Sequence, residues 1–145
     1  MLDVLVVRLD ADLALPAYAK PGDAGLDLVA RADAHLGAAG GRAIVPTGIA
    51  IELPDGFAGL IFPRSGLAAR HGISCLNAPG LIDSGYRDEL KVILVNHDPV
   101  EDYKIRRGDR IAQLVVQAVE HVHWREVSEL SESDRGAGGF GHTGR

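Results

Sequence analysis

The stretch RIAQLVVQ, residues 110–117, decides the fold class. It is a short run dominated by Ile, Leu and Val, and it follows the turn-forming pair Gly108-Asp109. A run of that length and composition behind a turn reads as a strand, because branched side chains fit a pleated, half-buried surface. Similar runs occur at DVLVVRL (3–9), GLDLVA (25–30), RAIVPTGIAIEL (42–53), FAGLIF (57–62), ELKVILVN (89–96) and AVEHVHW (118–124). Pro, Gly, Asp and Asn bound them. Apolar stripes of 3.6-residue period over ten or more residues are missing; GLAARH (66–71) is expected to form a turn of helix, and EVSELSESD (126–134) a polar linker. No solenoid-period repeat or heptad occurs. So many strands in 145 residues imply an all-β sandwich, jelly roll or small barrel.

Composition narrows the function classes. A chain of 145 residues, 46% hydrophobic and 24% charged, is expected to be one soluble domain. No apolar run approaches the roughly 20 residues that span a bilayer. The N-terminal run carries the early Asp3 and no basic leader, which argues against a signal peptide. One cysteine, Cys75, fits a reducing cytoplasm and reads as a small buried hydrophobe. A net charge of −5 speaks against nucleic acid or a membrane surface as partner. An anionic ligand would need locally gathered arginines, and 12 of the 15 basic residues are arginine.

Several short segments carry chemistry and also admit plainer readings. PRSGLA (63–68) is expected to place Arg64, Ser65 and Gly66 in a tight turn. That turn is either solvated surface or a phosphate cradle of guanidinium, hydroxyl and open amide. RRGDRIAQL (106–114) reads as a turn, with Asp109 bonding its own backbone, that feeds the strand; Gln113 is a polar amide in an apolar run. NAPGLIDSGYRDELKV (77–92) sets Asp83 beside Ile82 and Tyr86, as an ordinary turn residue or a positioned base. Asp27 alternates with Leu26 and Leu28, as the polar face of a strand would. His121 and His123, two apart in an expected strand, share a face, but without a third ligand they read as a solvated or interface pair. The tail RGAGGFGHTGR (135–145) is five-elevenths glycine. Its G-x-G-x-x-G lacks the strand, helix and acidic residue of a dinucleotide fingerprint. It is either a frayed end or a lid whose backbone N–H groups approach an anion.

Taken together the segments resemble the trimeric dUTP pyrophosphatases. That family's five ordered motifs appear here as AGLDL (24–28), PRSGLA (63–68), GLIDSGYRDEL (80–90), RGDRIAQL (107–114) and RGAGGFGHTG (135–144). The resemblance implies a β jelly roll at 1–125, a linker and lid arm at 126–145 within the same domain, and a homotrimer with sites shared between subunits. It implies hydrolysis of dUTP to dUMP and pyrophosphate in the cytoplasm, which limits uracil in DNA and supplies dUMP for dTMP synthesis.

Site roles carry over by motif. Asp83 would deprotonate water for attack on the α-phosphorus. Mg2+ would be held mainly by substrate phosphates and their waters, with Asp27 supporting it through water. Arg64, Ser65, Gly66 and Gln113 would hold phosphates, with Arg135 reaching the terminal one. Asn77 and the backbone of Gly80, Leu81 and Ile82 would read uracil, where a mismatched buried polar group costs about 1–3 kcal/mol. Tyr86 would exclude a ribose hydroxyl, Phe140 would stack on the base between Gly139 and Gly141, and Lys91 is a further contact. Two positions depart from the pattern: Asp88 stands where the family has glycine, which questions the local turn, and His142 where serine is commoner, which would make lid affinity depend on pH near neutrality. A dCTP deaminase of the same superfamily and a non-catalytic binding module are the rival readings.

Overall fold

The expected strand at 110–117 is the spine of the fold. In the computed structural model, which describes residues 2–134 and 136–137, it runs one residue further as β11 (Arg110–Ala118). It pairs antiparallel with β2 (Leu26–Val29) on one side and β6 (Phe57–Pro63) on the other. β6 also pairs with β8 (Gly80–Ile82), giving a four-stranded sheet ordered β2-β11-β6-β8. A second sheet is ordered β4-β9-β7, from Arg42–Pro46, Lys91–Asn96 and Ile73–Cys75. Two antiparallel ribbons complete the described fold: β1 (Leu5–Arg8) with β5 (Ile49–Glu52), and β3 (Ala34–Leu36) with β10 (Tyr103–Ile105). Among the described residues one helix, α1 (Ser65–His71), interrupts them.

Every sheet contributes to one apolar core. Leu28, Ile61, Ile111 and Leu114 come from the first sheet, Val45, Val92, Leu94 and Ile73 from the second, and Ile49, Leu36 and Ile105 from the ribbons. Each fully buried aliphatic side chain contributes about 1.5–3 kcal/mol over leaving it exposed. Asn96 is the polar exception, wholly buried yet satisfied. Its amide donates to the Leu36 and Glu101 carbonyls at 3.2 and 2.8 Å, and its oxygen accepts the Asp98 N–H at 2.9 Å. Cys75 is also buried, as its apolar context predicts, and burial pushes its thiol up to about 11.

Two expectations need correction. The run AVEHVHW is not a strand: β11 ends at Ala118, opposite Phe57, the first residue of β6. One further bond, Val119 N–H to the Gly56 carbonyl at 2.9 Å, closes the ladder. Beyond it no strand pairs with the chain among the described residues, and His121 and His123 lie on exposed, non-strand chain. PRSGLA is likewise not a tight turn. Arg64 is extended and Ser65 begins α1, so the expected turn of helix starts one residue early. The three-residue strands β3, β7, β8 and β10 are too short to leave a periodic signal.

Candidate active site

Residues that sequence reading scatters along the chain gather into two clefts. The first, about 470 Å³, is lined by Asp27 of β2, Arg64, Ser65 and Gly66 at the junction of β6 and α1, and Arg110 and Gln113 of β11. Strand register explains the gathering. Asp27 lies directly across from Gln113, and Gln113 across from Phe62, two residues before Arg64. The Gln113 amide donates to the Pro63 carbonyl at 3.0 Å, which fixes its side chain in the cleft. Gly25 allows this approach: a Cβ there would lie 2.6 Å from the Gln113 Oε1.

The charges of this cleft are paired in a fan. Asp27 forms an ion pair with the Arg64 Nε at 3.2 Å through one oxygen and accepts a hydrogen bond from an Arg110 guanidinium nitrogen at 3.3 Å through the other. Arg64 also donates to the Arg110 carbonyl at 3.2 Å. A second carboxylate, Asp23, also lines the cleft, so its formal charges balance while two guanidinium groups stand side by side on a chain of net charge −5. Guanidinium forks of this kind suit phosphate oxygens.

Arg110 is the site residue that sequence reading missed. Positions 110 and 113 differ by an odd number, so a regular strand would send them to opposite faces. A register shift between Arg110 and Ala112 against β2 inserts the extra residue that brings both into one cleft. The bulge is what brings them together, and none of Arg110, Ile111 and Ala112 is a glycine that would mark it in the sequence.

The second cleft, about 220 Å³, lies in the chain reversal between β8 and β9, a loose hairpin whose strands are not paired with each other but belong to different sheets. Asn77, Gly80, Leu81, Ile82, Asp83, Tyr86 and Lys91 line it, over a floor of Ile61, Val92 and Ile93. These residues are near one another in sequence, and the turn holds itself. The Tyr86 N–H donates to the Asp83 carbonyl at 3.1 Å, and the Tyr86 hydroxyl to the Glu89 carbonyl at 2.9 Å. Asp83 sits exposed just past the end of β8, among the cleft-lining residues. Asp88 keeps an ordinary negative φ, so glycine is not required there. Its carboxylate accepts the Glu89 N–H at 2.7 Å and approaches the Lys91 ammonium to 3.4 Å. The Glu89 N–H first, and Lys91 second, hold its pKa below the usual carboxylate value. Asp109 bonds the turn backbone as expected, accepting the Arg106 N–H at 2.9 Å. Arg135, Gly139, Phe140, Gly141 and His142 lie outside the described residues.

Among the described residues, no three His, Cys, Asp or Glu side chains gather to cage a metal, and no helix is long and apolar enough to cross a membrane. The arginine cleft is lined by two carboxylates, Asp23 and Asp27, too few to cage an ion; such a set fits a hard divalent ion that takes most of its ligands from phosphate and water.

The chain thus presents an arginine-lined cleft and a separate cleft at one chain reversal, with a carboxylate among the lining residues of the second. Comparison with known proteins makes the class specific. The dUTPase family model matches residues 11–144, and the chain belongs to that family. It is 63% identical over 141 residues to the deoxyuridine 5'-triphosphate nucleotidohydrolase of Thermobifida fusca, covering 97% of this chain and 78% of that protein. The Streptomyces coelicolor protein of the same name is 57% identical over 143 residues, covering 99% and 78%. Among solved structures, the Staphylococcus bacteriophage 80alpha dUTPase, a point mutant with dUpNHpp, matches with a TM-score of 0.86 at 25% identity over 99% of each chain. A phage phi11 dUTPase, described for its coordination of a structural Mg(II) ion, shares the fold with a TM-score of 0.77 at 22% identity over 88% of this chain and 97% of that one.

Proposed function

We propose that this protein hydrolyses dUTP to dUMP and pyrophosphate, with Asp83 as the base that activates water. The division of the site residues into an arginine cleft and a hairpin cleft carries the reading, because it matches the two ends of the substrate. Arg64, Arg110, Ser65, Gly66 and Gln113 hold the triphosphate. Asn77 and the backbone of Gly80, Leu81 and Ile82 read the uracil edge, and Tyr86 packs on the deoxyribose. Asp83 takes a proton from water as its oxygen bonds to the α-phosphorus, and the bond to the bridging oxygen of pyrophosphate breaks. Mg2+, when bound, would spread the negative charge of the triphosphate, and Asp27 would hold it through water.

The same division supports a trimer with shared sites, since the two clefts of one chain share no lining residue. The 126–145 segment then acts as a lid arm, with Arg135 on the terminal phosphate, Phe140 on the base, and Gly139 and Gly141 supplying close backbone approach. The free buried Cys75 supports the cytoplasm as the compartment.

Pyrophosphate release from dUTP, dCTP, dTTP and UTP with magnesium tests the activity. Release from dUTP alone is the expected result. Ammonia from dCTP would instead indicate a deaminase, and silence with every nucleotide a binding module. Co-expression of Asp83→Asn with Arg64→Gln chains tests the sharing: mixed oligomers regain activity if each site draws one cleft from each chain. Monomers in light scattering would end that part of the proposal.

A further inference from the structure

Away from both clefts, four charged side chains meet where the base of the β8–β9 hairpin touches the rest of the fold. Arg31, just past β2, directs its guanidinium at both Glu89 carboxylate oxygens, each at 3.3 Å. It also donates to the Leu9 carbonyl at 3.0 Å and faces Asp10 at 3.5 Å. Glu89 in turn accepts the Gly48 N–H at 2.8 Å. Arg107 closes the network: it pairs with Asp10 through two nitrogens, donates to the Arg31 carbonyl at 3.0 Å, and gives its backbone N–H to Asp33 at 2.7 Å. Gly48 adopts φ 79°, and a Cβ there would lie 3.2 Å from Asp10 and 3.3 Å from Leu13, so glycine is what lets the turn approach the cluster.

The two carboxylates are only 15% and 13% exposed, so these pairs are shielded more than ordinary surface bridges. Their consequence for the hairpin is geometric. The Glu89 side chain is held by Arg31 and Gly48, and its main-chain carbonyl is the acceptor of the Tyr86 hydroxyl. Tyr86 then fixes Asp83 through the 3.1 Å backbone bond. Removing Arg31 leaves a little-exposed carboxylate without its cation, and the hairpin base must shift to solvate it.

The geometry points to Arg31 as a positioning residue for sugar selection, acting through Glu89 on Tyr86. This rests on the reading that Tyr86 packs against the deoxyribose. The test compares kcat/KM for dUTP and UTP, together with melting temperature, in wild type, Arg31→Gln, Arg31→Lys, Glu89→Gln and His35→Gln. The last breaks the His35–Asp102 hydrogen bond, 3.0 Å, between β3 and the residue before β10, which shares no side-chain bond with Arg31, Glu89, Asp10 or Arg107 among the described residues. Arg31→Gln and Glu89→Gln are expected to lower the dUTP-to-UTP ratio about tenfold, the size of a modest packing defect at a specificity contact. Arg31→Lys recovers part of the ratio, and His35→Gln keeps the wild-type value. If Arg31→Gln does not fold, Glu89→Gln reads the same contact. An unchanged ratio in Glu89→Gln, whatever its melting temperature, would overturn the inference while leaving dUTP hydrolysis intact. The same holds if His35→Gln lowers the ratio equally, which would signal general loosening. A wild type that turns over UTP as well as dUTP would overturn the sugar reading itself.

Discussion

The two clefts of this chain are built on opposite plans. The arginine cleft draws on residues 27, 64, 110 and 113, brought together by strand register and a bulge. The hairpin cleft takes nearly all its lining from residues 77–93, and its turn is held by its own backbone and hydroxyl bonds. The first works by charge, which tolerates small shifts in geometry. The second works by shape and hydrogen-bond pattern, which does not. On the function proposed above, charge would set how tightly the triphosphate is held, and the hairpin which nucleoside is accepted and where water is activated.

That contrast can be broken at its strongest point by Asp83→Asn. We expect kcat to fall about 10²–10⁴-fold, the usual contribution of a general base, with little change in KM for dUTP. An equal fall in both clefts' functions, seen as a large rise in KM, would mean that Asp83 also shapes binding. Arg110→Gln should raise KM for dUTP about tenfold with selectivity against UTP and dCTP preserved, because a charge-assisted bond is lost. Its KM should also respond less to added salt than that of the wild type, since one screened charge is gone. Gly25→Ala sharpens the picture on a smaller scale. Its methyl group displaces Gln113, so KM rises a few-fold while base selectivity stays put. A loss of base selectivity instead would show that the two clefts are not independent.

The smallest expected effect concerns stability in acid. The Arg107 guanidinium, with help from the Asp12 N–H and Arg31, lowers Asp10 from 3.8 to about 2. A depressed carboxylate contributes stability above its unfolded value that is lost as pH falls through the folded one. The melting-temperature gap between wild type and Asp10→Asn should therefore be full near neutrality and close between about pH 4 and pH 2. A gap that persists at pH 2 would place the stabilisation elsewhere than in this carboxylate's charge.

Much of this was legible in the sequence, and the reasons differ by region. Strand runs such as FAGLIF and ELKVILVN reappear as β6 and β9 because a buried strand needs an unbroken apolar face. The hairpin cleft was legible as a unit because its residues are neighbours in the chain. The strand expected at AVEHVHW failed because pairing, not propensity, decides where a strand stops, and β6 offers nothing beyond Phe57. Arg110 was hidden by the bulge, and the Arg31–Glu89 contact by a separation of 58 residues.

By itself the sequence determined the all-β class, the motifs of the dUTPase family and the residue types of the site, because composition and local order fix which chemistry is present. Tertiary structure alone decided that Asp27 stands between Arg64 and Arg110, that Arg110 and Gln113 share a face, and that Glu89 is clasped by Arg31. Those are relations between distant strands, set by register and packing, and no local pattern encodes them.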